Sequence, residues 1–378
     1  MKVAIIAPLV TPISEPQRGG SQAFLSDLAR GLAGRGHEVD VYAASGSEVP
    51  GVKVIDTGVD PASLSATLYR APGAATRDPA EAASDPAAAA RDSAAAGAAF
   101  AGVYANVREI GYDVVHNHAF DAPAVRLATA LRAPVVHTLH LPPDQAVAEA
   151  LGRAAASAWP PTVACVSVSQ ANAWRRVARI GAILPPYVPT RVIGWSPEPG
   201  DGAVFAGRLS PEKGAAEAID IARAAGLRID VYGDSYDAQY AREQIGPRRD
   251  TPGVAVHPGV PRTSLWVAMA RAAVVVCPSR WDEPFGMAAA EAQACGTPVV
   301  AFRRGGLGEV IRDGVTGFLV TPGDIQAAAG GLTAAAGISR PACRDHAESH
   351  LDLELSLDLH ERVYRRAADA GGGVAAGG

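Results

Sequence analysis

An excess of positive charge is missing from this chain. Its 34 lysines and arginines stand against 39 acidic residues, for a formal net charge of −5. Bulk binding to duplex DNA or another polyanion needs a concentrated cationic field, so nucleic acid is not an expected partner. Local pairs such as Arg175-Arg176, Arg248-Arg249 and Arg365-Arg366 read as solvated faces, with membrane contact peripheral at most. Cysteine is scarce too. Cys165, Cys277, Cys295 and Cys343 show neither C-x-x-C spacing nor a histidine at metal-ligand distance in sequence. That argues against a disulfide scaffold or structural zinc and for buried, reduced thiols. No apolar run reaches ~18 residues, and the chain opens on a strand instead of a charged segment followed by an apolar run. Nothing in it directs the protein out of the cytoplasm, the expected location. Aromatics make up only 6% while alanine is abundant, so the helices are expected to pack through small side chains.

What is present points to two domains. A chain of 378 residues with 48% apolar content exceeds one ordinary core and suits two. Lys2–Ala7 is a continuous apolar run of the kind a buried parallel strand needs. A loop from Pro8 to Arg18 follows, then Gly19-Gly20-Ser21, then a helical stretch Gln22–Gly36 with Phe24, Leu25, Leu28 and Leu32 at helical spacing and Ser21 as its cap. Strands are expected at Glu38–Ala44 and Val52–Asp56. Residues 71–100 are alanine-rich and divided by two Asp-Pro steps, and short, loosely packed helices without chemistry are expected there.

The strand from Tyr112 runs out at His116 and His118, and the strand Pro134–His140 ends on His137 and His140. In open α/β sheets ligands bind beyond the carboxyl ends of strands. Alternation puts His116 and His118 on one face, but no third ligand accompanies them, so metal is not expected. The strand Thr162–Ser169 leads into a helix Gln170–Arg179, with Ser169 as the cap. A proline-rich linker surrounds Trp195–Gly200, and Ala203–Ala206 begins a second series of strands. The loop Gly207–Gly214 opens a helix with Ser210-Pro211-Glu212 as its cap, and Arg208 and Lys213 bracket that loop. A guanidinium clamps two oxygens at once and an ammonium acts as a point charge, so together they suit a diphosphate. Gly233-Asp234 ends the strand Arg228–Gly233, within reach of a nucleotide.

The organising stretch is Trp281-Asp-Glu-Pro-Phe-Gly-Met-Ala-Ala-Ala-Glu291, preceded by the apolar strand Val274–Cys277 and closed by Gly296-Thr-Pro298. Pro284 suits a helix start. Around Phe285, Gly286 and Met287 the unpaired amides and positive dipole end of a helix favour an anion such as a phosphate. Glu283 and Glu291 would flank that anion and offer acceptors to hydroxyls on either side. The two glutamates also read as solvated charges favourable to the helix dipole.

Two carboxylates eight apart are a weak signal alone. With the Pro-Phe-Gly insert and the preceding strand, the stretch resembles the family 4 retaining glycosyltransferases. G-R-x-x-x-x-K-G at 207–214 and Gly305-Gly306-x-x-Glu309 match the same family. The resemblance implies an α/β fold of the GT-B type: two facing doubly wound Rossmann-like domains with a cleft between them. The implied boundaries are an acceptor domain at 1–190, a nucleotide-sugar domain at 200–350, and a last helix at 351–370 crossing back to the first domain, with a frayed tail Gly371–Gly378. It implies sugar contact by Glu283, ribose contact by Glu291 and diphosphate contact by Arg208 and Lys213. Gly19 and Gly20 would admit the donor phosphates, and the amides of Gly305 and Gly306 a phosphate or sugar oxygen. His118 would lie near the transferred sugar, and His140 and Ser169 on the acceptor side. The expected reaction moves a sugar, with retention, from a UDP- or GDP-linked donor to a hydroxyl of a secondary metabolite, saccharide or lipid. No D-x-D motif stands in a suitable loop, so no metal cofactor is expected. The family usually reads I-P-N-G-V where this chain has Leu184-Pro-Pro-Tyr-Val, so Pro186 and Tyr187 replace an asparagine and a glycine.

Two other readings compete. An oxidoreductase or sugar-nucleotide epimerase of the same shape would need a G-x-G-x-x-G turn after the first strand, which Pro8–Gly20 does not supply. A non-catalytic nucleotide-sugar-binding module would keep Arg208, Lys213 and Glu291 but show no turnover.

Overall fold

The computed structural model describes residues 1–64, 86–198 and 200–375. Short apolar runs supply two fully parallel sheets. In the first, β1 (Lys2–Ile6), β2 (Glu38–Ala43), β3 (Lys53–Asp56), β4 (Val114–Asn117), β5 (Val135–Leu139), β6 (Thr162–Cys165) and β7 (Ala182–Ile183) lie in the order β3-β2-β1-β4-β5-β6-β7. In the second, β8 (Ala203–Ala206), β9 (Ile229–Tyr232), β10 (Val254–His257), β11 (Val274–Cys277), β12 (Val299–Phe302) and β13 (Gly317–Val320) run β10-β9-β8-β11-β12-β13. Both orders reverse direction once, between β1 and β4 and between β8 and β11. Crevices at the carboxyl ends of strands open at such reversals.

The first sheet's helices are α1 (Gly20–Gly34), α2 (Pro86–Ile110), α3 (Ala122–Ala128), α4 (Gln145–Ala155) and α5 (Val168–Trp174). The second carries α6 (Ala215–Ala224), α7 (Arg262–Arg271), α8 (Met287–Ala294), α9 (Leu307–Val310), α10 (Ile325–Ala335) and α11 (Arg340–His350). The last helix, α12 (Leu353–Ala375), returns to the first domain. There Leu357 and Tyr364 join the core of Phe24, Leu28 and Leu32. The fit against α1 is close, because a Cβ on Gly31 would lie 2.7 Å from Leu357 Cδ1. Arg35 fastens the two helices by pairing with Glu354, Asp358 and Glu361.

Several local expectations are corrected. The alanine-rich stretch continues as one 25-residue helix, α2, starting at Pro86, and its Phe100, Val103, Tyr104 and Val107 are core residues. The rest of that stretch, 71–85, lies outside the described residues. Ser21 does not cap α1, which starts at Gly20 without a side-chain cap. The helix after Lys213 starts at Ala215, with left-handed Gly214 as its cap, so Ser210-Pro211 forms a turn before it. Gly317–Val320 is a parallel neighbour of β12, at the edge of its sheet. The last helix is also longer than expected and runs to Ala375.

Candidate active site

The cleft is built where the two reversals face each other. From the second domain come the loop after β8, the end of β9 and the segment between β11 and α8. Arg208, Lys213, Gly233, Glu283, Phe285, Gly286, Met287 and Glu291 all line it. Gly286 begins α8 at φ +110°, a conformation that disfavours side chains, and a Cβ there would also strike Leu307 Cδ2 at 2.7 Å. This position needs glycine for both reasons.

Lys213 and Glu283 form the polar centre. The ammonium Nζ lies 2.8 Å and 2.9 Å from the two carboxylate oxygens. Trp281 Nε1 and Ser279 Oγ donate to Glu283 Oε2 at 2.9 Å and 3.0 Å. Burial alone would push this carboxyl up. The Lys213 charge and the hydrogen bonds from Lys213, Trp281 and Ser279 outweigh it and hold the group below the usual carboxylate range. Glu283 is therefore ionised and fixed. Arg208 pairs with Glu212 Oε1 at 3.1 Å and stacks on the Tyr236 ring, its guanidinium carbon 4.8 Å from the centroid.

The loop carrying Glu283 rests on Gly305 and Gly306. Gly305 has φ +54°, and a Cβ on it would fall 2.2 Å from the Glu283 carbonyl oxygen. The Gly306 N–H donates to that same oxygen at 2.6 Å. This amide is spent on the loop, which corrects the expectation that it is free for a phosphate or sugar oxygen.

Glu291 has partners that its motif did not reveal. Arg262 donates to its Oε1 through Nε at 3.0 Å and Nη2 at 2.8 Å, and Trp266 Nε1 donates to the same atom at 3.1 Å. The guanidinium reaches on to Asp27 Oδ2 of α1 at 2.8 Å, across the domain boundary. All three charged groups are buried. Neither Arg262 nor Asp27 belongs to a recognisable motif. The sequence signal was a basic residue at the start of an apolar helix with a tryptophan four positions on, where a cation can stack on a ring.

The first domain supplies the opposite wall. Gly19 and Gly20 line the cleft, and a Cβ on Gly20 would lie 3.0 Å from Met287 Cγ, so the glycine lets the two domains approach. His140 also lines it, beside Phe120, Leu141 and Pro186. His118 is fully buried one layer behind, with Nδ1 2.9 Å from His140 Nε2. His116 bridges Tyr364 Oη at 2.6 Å and Thr138 Oγ1 at 2.7 Å, and His137 meets Asn117 Nδ2 at 2.7 Å. Burial, reinforced by His360, pushes His140 down to about 3, and burial holds His118 far below its ordinary value. Both imidazoles are neutral near neutral pH. No cluster of three or more potential metal-holding side chains occurs among the described residues.

Ser169 is placed differently from the expectation. Strand β6 stops at Cys165, and Ser167 is the residue whose hydroxyl caps α5. The amides of Val168 and Ser169 instead donate to Glu309 of the second domain at 2.8 Å and 2.7 Å. Tyr187, which with Pro186 departs from the family pattern, packs on Phe285 with ring centroids 5.9 Å apart. It joins the domains by an aromatic contact.

The comparisons agree with this architecture. The family model described as "Glycosyltransferase Family 4" matches residues 18–190, and "Glycosyl transferases group 1" matches residues 196–337. A D-inositol 3-phosphate glycosyltransferase of Mycolicibacterium vanbaalenii is 30% identical, over 92% of this chain and 86% of its own length. Among solved structures, sucrose-phosphate synthase from Thermosynechococcus elongatus superposes with a TM-score of 0.74 at 20% identity, covering 98% of this chain and 99% of that one. Anabaena HepE in complex with UDP-glucose gives a TM-score of 0.70 at 21% identity, covering 96% and 99%. These two show the shared GT-B fold. The chain belongs to the family 4 glycosyltransferases.

Proposed function

We propose that this glycosyltransferase moves a sugar, with retention of anomeric configuration, from a UDP- or GDP-linked donor to an acceptor hydroxyl, without a divalent ion. The observation that carries the reading is the Lys213–Glu283 pair at the start of α8, with Arg208 lining the same cleft. Charge develops on the departing diphosphate as the glycosidic bond breaks. Two cationic side chains and a helix start on one cleft wall support the reading that this charge is met there. Each such donor typically supplies on the order of 3 kcal/mol of transition-state stabilisation.

Glu283 orients the sugar instead of attacking it. Its Oε2 accepts from Lys213, Trp281 and Ser279, which fixes the carboxylate and occupies that oxygen, while Oε1 accepts from Lys213 alone and keeps a lone pair for a sugar hydroxyl. The acceptor hydroxyl then approaches on the face the diphosphate leaves, and its proton passes to the departing phosphate oxygen. The neutral His140 is placed to hold a hydroxyl on the acceptor side, with His118 as its support. The relative's name points to a phosphorylated cyclitol as one acceptor class to test. A nucleotide sugar, UDP-glucose, is the ligand named for the HepE complex, which supports a donor of that class.

The test is a panel of UDP- and GDP-sugars offered with inositol phosphates, saccharides and phenolic acceptors, following nucleotide release and the anomeric proton coupling of the product. Turnover with an α-linked donor should give an α-linked product. A β product would overturn retention, and no turnover with any donor would overturn the transferase reading.

A further inference from the structure

Glu291 Oε1 carries three donors, two from Arg262 and one from Trp266. An sp² oxygen has two lone-pair directions, so it has no room for another hydrogen. Among the described residues every hydrogen bond to this carboxylate falls on Oε1 and none on Oε2, and the side chain lines the cleft. Oε2 is thus the atom open to a ligand hydroxyl, and Arg262 decides where it points. Arg262 is tied to the first domain twice, through its guanidinium Nη1 to Asp27 and through its backbone N–H to Glu15 Oε2 at 3.2 Å. It is stacked on Trp266, with its guanidinium carbon 4.9 Å from the ring centroid. Arg262 is only 8% exposed, so separating the domains would strip a buried cation of one of its two carboxylates.

We propose that Arg262 is a positioning residue that makes the aimed state of Glu291 and the closed state of the cleft one and the same. A nucleotide whose ribose hydroxyls bind Oε2 would favour the arrangement in which Asp27 also holds Arg262. The ribose contact rests on the reading under Proposed function. The coupling of the two domains through Asp27, Arg262 and Glu291 does not.

Calorimetry with UDP and GDP, each beside its 2′,3′-dideoxy form, reads the first half. The unmodified enzyme should favour the hydroxylated nucleotide about tenfold or more, as expected for hydrogen bonds to a charged group. In Arg262→Lys, which keeps the charge but cannot hold Oε1 through two nitrogens, that preference should collapse while affinity for the dideoxy form stays within about twofold. A purely structural role would weaken both forms alike, and an unchanged preference overturns the positioning claim. Small-angle scattering of Asp27→Asn without nucleotide reads the second half. A larger radius of gyration than the parent supports the latch, and an identical one overturns it. If neither nucleotide binds the parent protein, the donor assignment falls, and the scattering result alone still decides the latch.

Discussion

Lys213 Nζ sits 2.8 Å from one carboxylate oxygen of Glu283 and 2.9 Å from the other, a two-pronged contact between residues 70 positions apart. The ammonium neutralises the carboxylate before any ligand arrives. A bound diphosphate would then share an ammonium whose position is already fixed.

Glu283→Gln keeps the size of the side chain and removes its charge. Transfer should fall by about 10²–10³-fold with the fold intact. A variant with near-full rate would remove the carboxylate from the mechanism. The pair should also show in stability. Lys213→Met leaves a largely buried carboxylate without its counter-charge, at about 2 kcal/mol in urea unfolding. The double variant should cost less than the two singles summed.

Lys213→Ala should weaken binding of the free nucleoside diphosphate by about tenfold or more while leaving the nucleoside nearly unaffected. An equal loss for both ligands, measured by calorimetry, would argue against diphosphate contact.

Activity should be the same in excess EDTA as with added magnesium or manganese. Loss in the chelator that a divalent ion restores would reverse the metal-independent proposal. The expectation rests on Arg208 and Lys213 supplying the positive charge that a metal supplies elsewhere.

Four buried imidazoles and the partly buried His140 predict acid sensitivity. His137 and His360 are pushed down to about 4 and His140 to about 3, and His116 and His118 lie well below their ordinary value, all chiefly through burial. The folded protein disfavours their charged forms, so the unfolded chain binds more protons. The stability they contribute is complete above about pH 6.5 and is lost as pH falls towards about 4, at ~1.4 kcal/mol per pH unit for each group. Asp121 works the other way. Burial holds its carboxyl up at about 6, so it costs stability at neutral pH and that cost fades on acidification. The histidines outnumber it, and urea midpoints should drop steadily between about pH 6.5 and pH 4.5. A flat profile would contradict the burial of the cluster.

Arg340 donates to the carbonyls of Ser196, Ala272 and Ala270 at 2.8, 2.8 and 2.6 Å and to Thr297 Oγ1 at 2.9 Å, fastening the linker to the second domain. Arg340→Met would leave those acceptors in an apolar surround and should cost about 3 kcal/mol or more. A loss below about 1 kcal/mol would mean that water replaces the guanidinium freely.

The parts of this molecule that could be read in the sequence are those with a local period or a fixed spacing. Val274–Cys277 and Val299–Phe302 announce buried parallel strands by composition alone, and the eight-residue interval between Glu283 and Glu291 survives as two residues lining one cleft. Contacts made across the fold leave no such trace. Asp27 and Arg262 are 235 positions apart, and Glu309 serves amides 140 and 141 positions away. The sequence pointed to Ser169 as the cap, and Ser167 takes that place because β6 ends early, at Cys165. Alternation placed His116 and His118 on one face correctly, since their rings lie 3.9 Å apart. It could not say that His140 would take the cleft and His118 the layer behind.

The return of α12 has a consequence for how the protein is made. Leu357 and Tyr364 belong to the core of a domain whose seven strands all precede residue 184, and Tyr364 closes over His116 at zero exposure. A ribosome would therefore release the whole second domain while the first still has an open seam. The earlier half of the chain is sealed by a segment that emerges only after the later half.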